Sequence, residues 1–144
     1  MPRRVVVNAG PSGYVQNISV GPHVLLADEP IESGSNDAGP NPYELLLAAL
    51  GACTSMTVRI YAERKHWPLH GVQVRLSYAR IHFEDCAECD TKKSMTDRIE
   101  MAISLTGDLS EDQRRRLIEI ANNCPVHRTL ASGIQIHSAG DTQD

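Results

Sequence analysis

Aromatic side chains are the scarcest material in this sequence: one Phe, one Trp and four Tyr among 144 residues. A core must therefore be built mainly from Leu, Ile, Val, Ala and Met. An excess of basic charge is missing too. The formal net charge is −4, and the arginines are dispersed apart from Arg114, Arg115 and Arg116, so no positive field exists to hold a phosphate backbone and nucleic acid is not an expected partner. No apolar run approaches the roughly 20 residues of a membrane span. The opening MPRRVVVNAGPSGYV carries two arginines but no apolar stretch of signal-peptide length, so the expectation is a cytosolic protein with no membrane partner. Cysteines number only four. In an intracellular chain of this length they do not suggest a disulfide framework, which leaves a metal site or a reactive thiol pair.

With 41% hydrophobic residues the chain can bury an ordinary core, and its length fits a single domain over residues 1–144. Three β-like runs come first, Arg3 to Ala9, Tyr14 to Val20 and His23 to Asp28. The turn-formers between them, residues 8–13 and Gly21-Pro22, predict an antiparallel meander. Residues 32–40, ESGSNDAGP, are polar and Gly-rich and are expected to form a flexible surface loop. Asn41-Pro42-Tyr43-Glu44 then supplies a helix start, with Asn41 as N-cap, Pro42 at the first helical position and Glu44 reaching back as in a capping box.

From Tyr43 the apolar pattern predicts a helix of about 24 residues, about 36 Å long, running almost to Pro68. Its first half, Leu45 to Leu50, is apolar on every side and is expected to be buried; its last turns carry Arg59, Glu63, Arg64, Lys65 and His66 and are expected to be wet. Cys53 falls near the middle, beside Gly51 and Ala52, where something is expected to pack closely. Val72 to Phe83 and Ile99 to Thr106 alternate as strands of a second hairpin. Ser110-Glu111-Asp112-Gln113 opens a second helix through a capping box, ending near Asn123, and Arg114 to Arg116 with Glu111, Asp112 and Glu119 form its solvated face. Cys124-Pro125 starts a short third helix through Leu130, with Cys124 as N-cap. A last strand is predicted over Gly133 to Ser138. The fold class is α+β, in the order β-β-β-α-β-β-α-α-β.

Two groups of residues could carry chemistry. In the first, the helical thiol of Cys53, expected to be buried, is faced by Cys124 at a helix N-terminus, where free N–H groups favour a thiolate. On the dipole alone Cys124 is the better thiolate; equally, both could be small core residues, because free cysteine is among the most buried types. The second is Cys86-Ala87-Glu88-Cys89, preceded by His82. A single CxxC with one His is half a zinc site, and a fourth ligand could come from Cys124, His127, Asp85 or another copy of the chain. A local redox dithiol and an ordinary reduced pair remain open for it.

The segment Gly39-Pro40-Asn41-Pro42-Tyr43-Glu44-Leu45-Leu46-Leu47-Ala48-Ala49-Leu50-Gly51-Ala52-Cys53 resembles the first-cysteine helix of the OsmC/Ohr (organic hydroperoxide resistance) family, and Asn123-Cys124-Pro125-Val126 resembles its second-cysteine motif. The resemblance covers most of the chain. It implies an OsmC-like α+β fold, with antiparallel sheets packed around a long central helix in an intertwined homodimer. It also implies a thiol-dependent peroxidase, in which Cys53 attacks an organic hydroperoxide and Cys124 resolves the product as a disulfide. A dithiol reductant, of lipoyl type in the peroxidase members, would reopen the pair, with no resident cofactor or metal.

Two positions depart from the pattern of those peroxidases. They carry a glutamate directly after the Asn-Pro pair, where Tyr43 stands here and Glu44 follows one place later, about 100° round the helix. They also place an activating arginine before this helix, whereas no arginine lies between Val5 and Arg59; Arg3, Arg4, Arg59 and Arg128 are the candidates to replace it. His127 follows the second-cysteine motif and could donate a proton there, while His23, His66, His70 and His137 have no partner spacing. Two other function classes fit the same residues: a redox-sensing or small-molecule-binding protein without turnover, and an acyl hydrolase with Cys53 as nucleophile and His127 as base.

Overall fold

The structure, a computed structural model, describes residues 2–82 and 95–140; the side chains of His82 and Met95 are outside it. Its elements are β1 (Val5–Ala9), β2 (Gln16–Val20), β3 (His23–Ala27), α1 (Pro42–Arg64), β4 (Leu69–His82), β5 (Met95–Gly107), α2 (Glu111–Ala121) and α3 (Pro125–Ser132). A single 3₁₀ turn, Ile31–Ser33, follows β3. Strands β1, β2 and β3 form an antiparallel sheet in that order, with Val5 opposite Val20 and Gln16 opposite Ala27. Strands β4 and β5 pair in a second sheet. A Cβ on Gly71 would lie 2.8 Å from the Thr106 hydroxyl, while Tyr78 reaches Asp97, so these two strands run in opposite directions. The architecture is the α+β arrangement expected from the sequence, except at its end: residues 133–140 have no regular structure, and Ile134 and Ile136 of the expected last strand are exposed. Alternation makes a segment fit to be a strand, but a strand also needs a neighbour for its backbone groups.

Chain contacts divide the molecule into two compact units, residues 1–49 with 77–100, and residues 50–76 with 101–144. In the first unit the meander exposes apolar side chains on consecutive positions, Val5, Val6 and Val7 on β1 and Val24, Leu25 and Leu26 on β3. Consecutive strand residues point to opposite faces, so among the described residues β1 and β3 carry exposed apolar side chains on both faces. At the start of α1, Asn41 accepts from the Glu44 N–H and Glu44 accepts from the Asn41 N–H, each at 2.8 Å, the expected capping box. The displaced Tyr43 stacks on Tyr78 with ring centroids 4.4 Å apart. Tyr78 donates to Asp97 at 2.5 Å, and this hydrogen bond to a carboxylate pushes the phenol above its ordinary pKa; Arg80 stands 3.4 Å from the same carboxylate.

The loop expected to be free is tied down. Asp28 is buried and accepts from the Ser35 hydroxyl, from the Ala38 N–H at 2.9 Å and from the Glu29 N–H at 2.8 Å. The Asp28 N–H donates to Pro40 and the Asp37 N–H to Glu29, closing residues 29–40 on themselves. Hydrogen bonding, led by Ser35 and then Ala38, holds the Asp28 carboxyl below its ordinary value of 3.8, against the opposing effect of burial. A folded-state pKa lowered in this way adds stability that is present above the unfolded value and is lost as pH falls through the folded one. Asp28→Asn should therefore lower the urea midpoint at pH 7, and the difference from the wild type should shrink as the pH is taken below about 4.

Helix α1 has 23 residues, about 34 Å, and by length and composition alone is apolar enough to cross a membrane, more than its sequence suggested. The expectation that its first half is buried does not hold: Leu45 and Leu47 are half-buried, Leu46, Ala48 and Ala49 are exposed, and the buried positions are Leu50, Gly51, Thr54, Val58 and Ala62. A sequence shows that a surface is apolar, not what covers it. The helix stops at Arg64, short of Pro68, because the chain reverses there. His66 takes a left-handed conformation, its N–H donates to Glu63, and the Trp67 N–H donates to Ala62 at 2.9 Å, the paired bonds of a Schellman end.

The second unit holds the main core. Val58, Ala62, Leu69, Leu109, Leu117 and Ala121 are buried together, with Tyr61, Trp67, Val72, Ile103 and Leu105 packed against them. The core is largely aliphatic, as the scarcity of aromatics requires. The close approach expected beside Cys53 is real: a Cβ on Gly51 would come within 2.8 Å of Leu76 Cδ1. Ser110 and Gln113 make the reciprocal capping box that starts α2, and Arg114 of that helix donates to the carbonyls of Leu105 and Gly107, both at 2.8 Å.

Candidate functional site

Cys124 is fully buried at the start of α3, in the N-cap position expected from Pro125. Its Sγ accepts from the His127 N–H at 3.3 Å and lies 3.6 Å from Thr54 Oγ1 on α1. Thr54, also fully buried, is the residue directly after Cys53. It stands 2.8 Å from the Leu50 carbonyl and 3.6 Å from Met101 Sδ. A hydroxyl has one proton to give. With that proton on the Leu50 carbonyl, the contact to Cys124 is a thiol S–H donating to Thr54 Oγ1. The α3 cap is thus docked on α1 at the position next to Cys53, although 70 residues separate Thr54 from Cys124 in the chain.

Cys53 is half-buried, not buried as expected, and both cysteines are free thiols. Cys53 and Thr54 point about 100° apart on the helix, so Cys53 projects to one side of the Cys124 contact. One turn further along the Cys53 side is Thr57, and there a groove of about 320 Å³ opens between α1 and the α2–α3 corner. Residues flanking Cys124, Asn123 and Pro125, line its far wall.

The other residues singled out in the sequence fall as follows. Arg59 donates to the carbonyls of Leu69 at 2.8 Å and His70 at 3.3 Å, fastening the end of α1 to the start of β4. Arg128 and Arg64 are both among the residues that line the groove. Arg3 and Arg4 are exposed ahead of β1. His127 has a buried Nδ1 that meets no hydrogen-bond partner among the described residues; only its backbone N–H bonds to Cys124, so no imidazole–thiol dyad is formed among them. Cys86, Cys89 and Asp85, with the side chain of His82, lie outside the described residues, and among the described residues no three His, Cys, Asp or Glu side chains converge as a metal site would require. Sequence reasoning passed over Thr54 and Arg64. The first shows only as a hydroxyl in an apolar stretch, and the second as one charge among several at a wet helix end.

A meander, a long helix, a two-stranded sheet and a helix pair whose second helix starts at a cysteine cap make up an OsmC-type α+β fold. The family model described as OsmC-like protein matches residues 34–139, and this chain belongs to that family. Solved structures agree on the fold. An OsmC-like protein from Mycoplasma pneumoniae superposes with a TM-score of 0.70 at 17% identity, covering 91% of this chain and 88% of that one. An organic hydroperoxide resistance protein OsmC from Legionella pneumophila gives 0.62 at 18% identity over 89% and 88%, and the organic hydroperoxide resistance protein OhrB of Bacillus subtilis gives 0.60 at 15% identity over 89% of each chain. No curated protein matches the sequence.

Proposed function

We propose that this protein is a thiol-dependent peroxidase that reduces organic hydroperoxides, with Cys53 as the attacking thiol and Cys124 as the resolving one. The observation that carries the reading is the Cys124 thiol resting 3.6 Å from the side chain of Thr54, the neighbour of Cys53, in a fold shared with proteins named for organic hydroperoxide resistance. The Cys53 thiolate attacks the outer peroxide oxygen, the O–O bond breaks, and the alkoxide leaves and takes up a proton as the alcohol. Cys53 is left as a sulfenic acid. Cys124 then attacks that sulfur, water departs, and a disulfide forms; an external dithiol such as a lipoyl group reduces it by exchange. The half-exposed position of Cys53 suits it to meet a substrate, and the full burial of Cys124 suits it to wait for the intermediate.

The open apolar faces of the meander and of the first half of α1 support a homodimer in which a second copy covers them. The run of α1, β4 and β5 through both compact units supports a single domain. We place the protein in the cytosol, where dithiol reductants are available.

The reading is tested by steady-state consumption of an alkyl hydroperoxide with a dithiol as reductant: the wild type should turn over many times, and oxidation of thiols without turnover would favour the sensing role instead. Disulfide formation also has a structural consequence. Bonding to Cys53 takes the Cys124 sulfur away from the His127 N–H and removes the cap of α3. Hydrogen exchange at the amides of the first turn of α3 should speed up in the oxidised protein, and the core of α2 should be unaffected.

A further inference from the structure

The proposed peroxidase cycle leaves Thr54 without a chemical role. This residue is fully buried on α1, and its hydroxyl oxygen lies 2.8 Å from the Leu50 carbonyl, 3.6 Å from Cys124 Sγ and 3.6 Å from Met101 Sδ. A helical threonine turns its hydroxyl proton back to the carbonyl four residues earlier, and a thioether accepts too weakly to compete for it. The lone pairs of the oxygen are then what Cys124 meets. Cys124 is fully buried as well, so bulk water replaces neither partner. Its sulfur accepts from the His127 N–H at 3.3 Å and gives its own proton to Thr54.

These two hydrogen bonds end in different ways when the thiols are oxidised. Closing the disulfide joins the sulfurs of Cys53 and Cys124, releases two protons and passes two electrons to the oxidant. The His127 contact is lost by movement of the sulfur, but the Thr54 contact ends because the proton that made it is gone. An interaction present in only one of two states shifts the equilibrium toward that state. We propose that Thr54 is a positioning residue that holds Cys124 as a thiol against α1 and thereby biases the Cys53–Cys124 pair toward its dithiol form. The bias makes the disulfide easier for an external dithiol to reopen, so it acts on the reductive half of the cycle. This rests on the reading of Cys53 and Cys124 as a redox pair.

Thr54→Val keeps the shape of the side chain and removes the oxygen, whereas Thr54→Ser keeps the oxygen and removes the methyl group. Each variant and the wild type are equilibrated without oxygen in mixtures of lipoamide and dihydrolipoamide, so that two protons and two electrons pass from the protein thiols to the lipoamide disulfide. Thiols are then trapped by alkylation and the Cys53–Cys124 disulfide is quantified by peptide mass, with Cys86 and Cys89 counted separately. The equilibrium constant for oxidation should rise at least about threefold in Thr54→Val, the effect of one modest hydrogen bond, and Thr54→Ser should stay within about twofold of the wild type. Thr54→Val matching the wild type, or Thr54→Ser shifted as far as Thr54→Val, would overturn the inference. A wild type that forms no Cys53–Cys124 disulfide at any ratio ends the redox-pair reading and the bias with it; a disulfide whose equilibrium is unchanged in Thr54→Val ends the bias alone. The infrared S–H stretch tests the bond without any exchange. The Cys124 band, assigned by its loss in Cys124→Ser, should lie below the frequency of an unbonded thiol in the wild type and in Thr54→Ser, and should move up in Thr54→Val. An unbonded frequency in the wild type overturns the inference even if Thr54→Val does not fold.

Discussion

Cys53→Ser should abolish turnover of organic hydroperoxides, lowering kcat/KM by at least about a thousandfold, because a hydroxyl at neutral pH supplies neither the nucleophile nor a sulfur to oxidise. Folding should be preserved, since Cys53 is only half-buried and Ser differs from it by one atom; an unchanged thermal midpoint is the control. Cys124→Ser should behave differently. Its thiol partner at Cys53 remains, so the variant should consume about one equivalent of hydroperoxide and then stall as the sulfenic acid, which a reagent selective for that group detects. Ser also keeps an acceptor for the His127 N–H at the helix cap, so α3 should survive. A burst followed by arrest in Cys124→Ser, beside silence in Cys53→Ser, assigns the order of the two thiols; the reverse pattern would exchange their roles.

The largest effect on stability should come from Gly107→Ala. Gly107 ends β5 with φ of +141°, a conformation open almost only to glycine, and an added Cβ would lie 2.2 Å from the Pro68 carbonyl oxygen and 3.0 Å from the His70 nitrogen. Both neighbours are backbone and cannot swing aside as a side chain would. The same residue gives its carbonyl to Leu109 at 2.9 Å and to Arg114 at 2.8 Å, so moving it disturbs the start of α2 and the packing of Leu109 in the core. A loss of more than about 3 kcal/mol is expected, read as a shift in urea midpoint at constant slope. If the variant is as stable as the wild type, this corner of the fold is wrongly described.

Sequence carried most of the local structure because it was written in short-range signals. Asn41 with Glu44 and Ser110 with Gln113 are capping boxes whose partners are three residues apart, and Cys124-Pro125 is a helix start in two residues; each forms as expected. What failed depended on distant partners. Residues 32–40 read as a flexible surface loop because nothing local says that Asp28 is buried and collects Ser35, Ala38 and Glu29 around its carboxylate. The apolar start of α1 read as core, yet its own chain leaves Leu46 exposed; the strand expected over 133–138 has the right alternation and no regular structure. For the site, both cysteine motifs are present in the sequence, and the redox pairing of Cys53 with Cys124 is what the resemblance implies. The contact between Cys124 and Thr54, and the arginine-lined groove running from Thr57 to Arg64, arise only when α1 meets the α2–α3 corner.

The central claim is a redox partnership between two thiols far apart in the chain, and it is most directly tested by adding one equivalent of alkyl hydroperoxide to the fully reduced protein, blocking remaining thiols with an alkylating agent, and mapping the peptides by mass. The account predicts a Cys53–Cys124 disulfide within the chain, with Cys86 and Cys89 alkylated. Recovery of Cys53 and Cys124 alkylated, or of a disulfide that joins either of them to Cys86 or Cys89 instead, would contradict it.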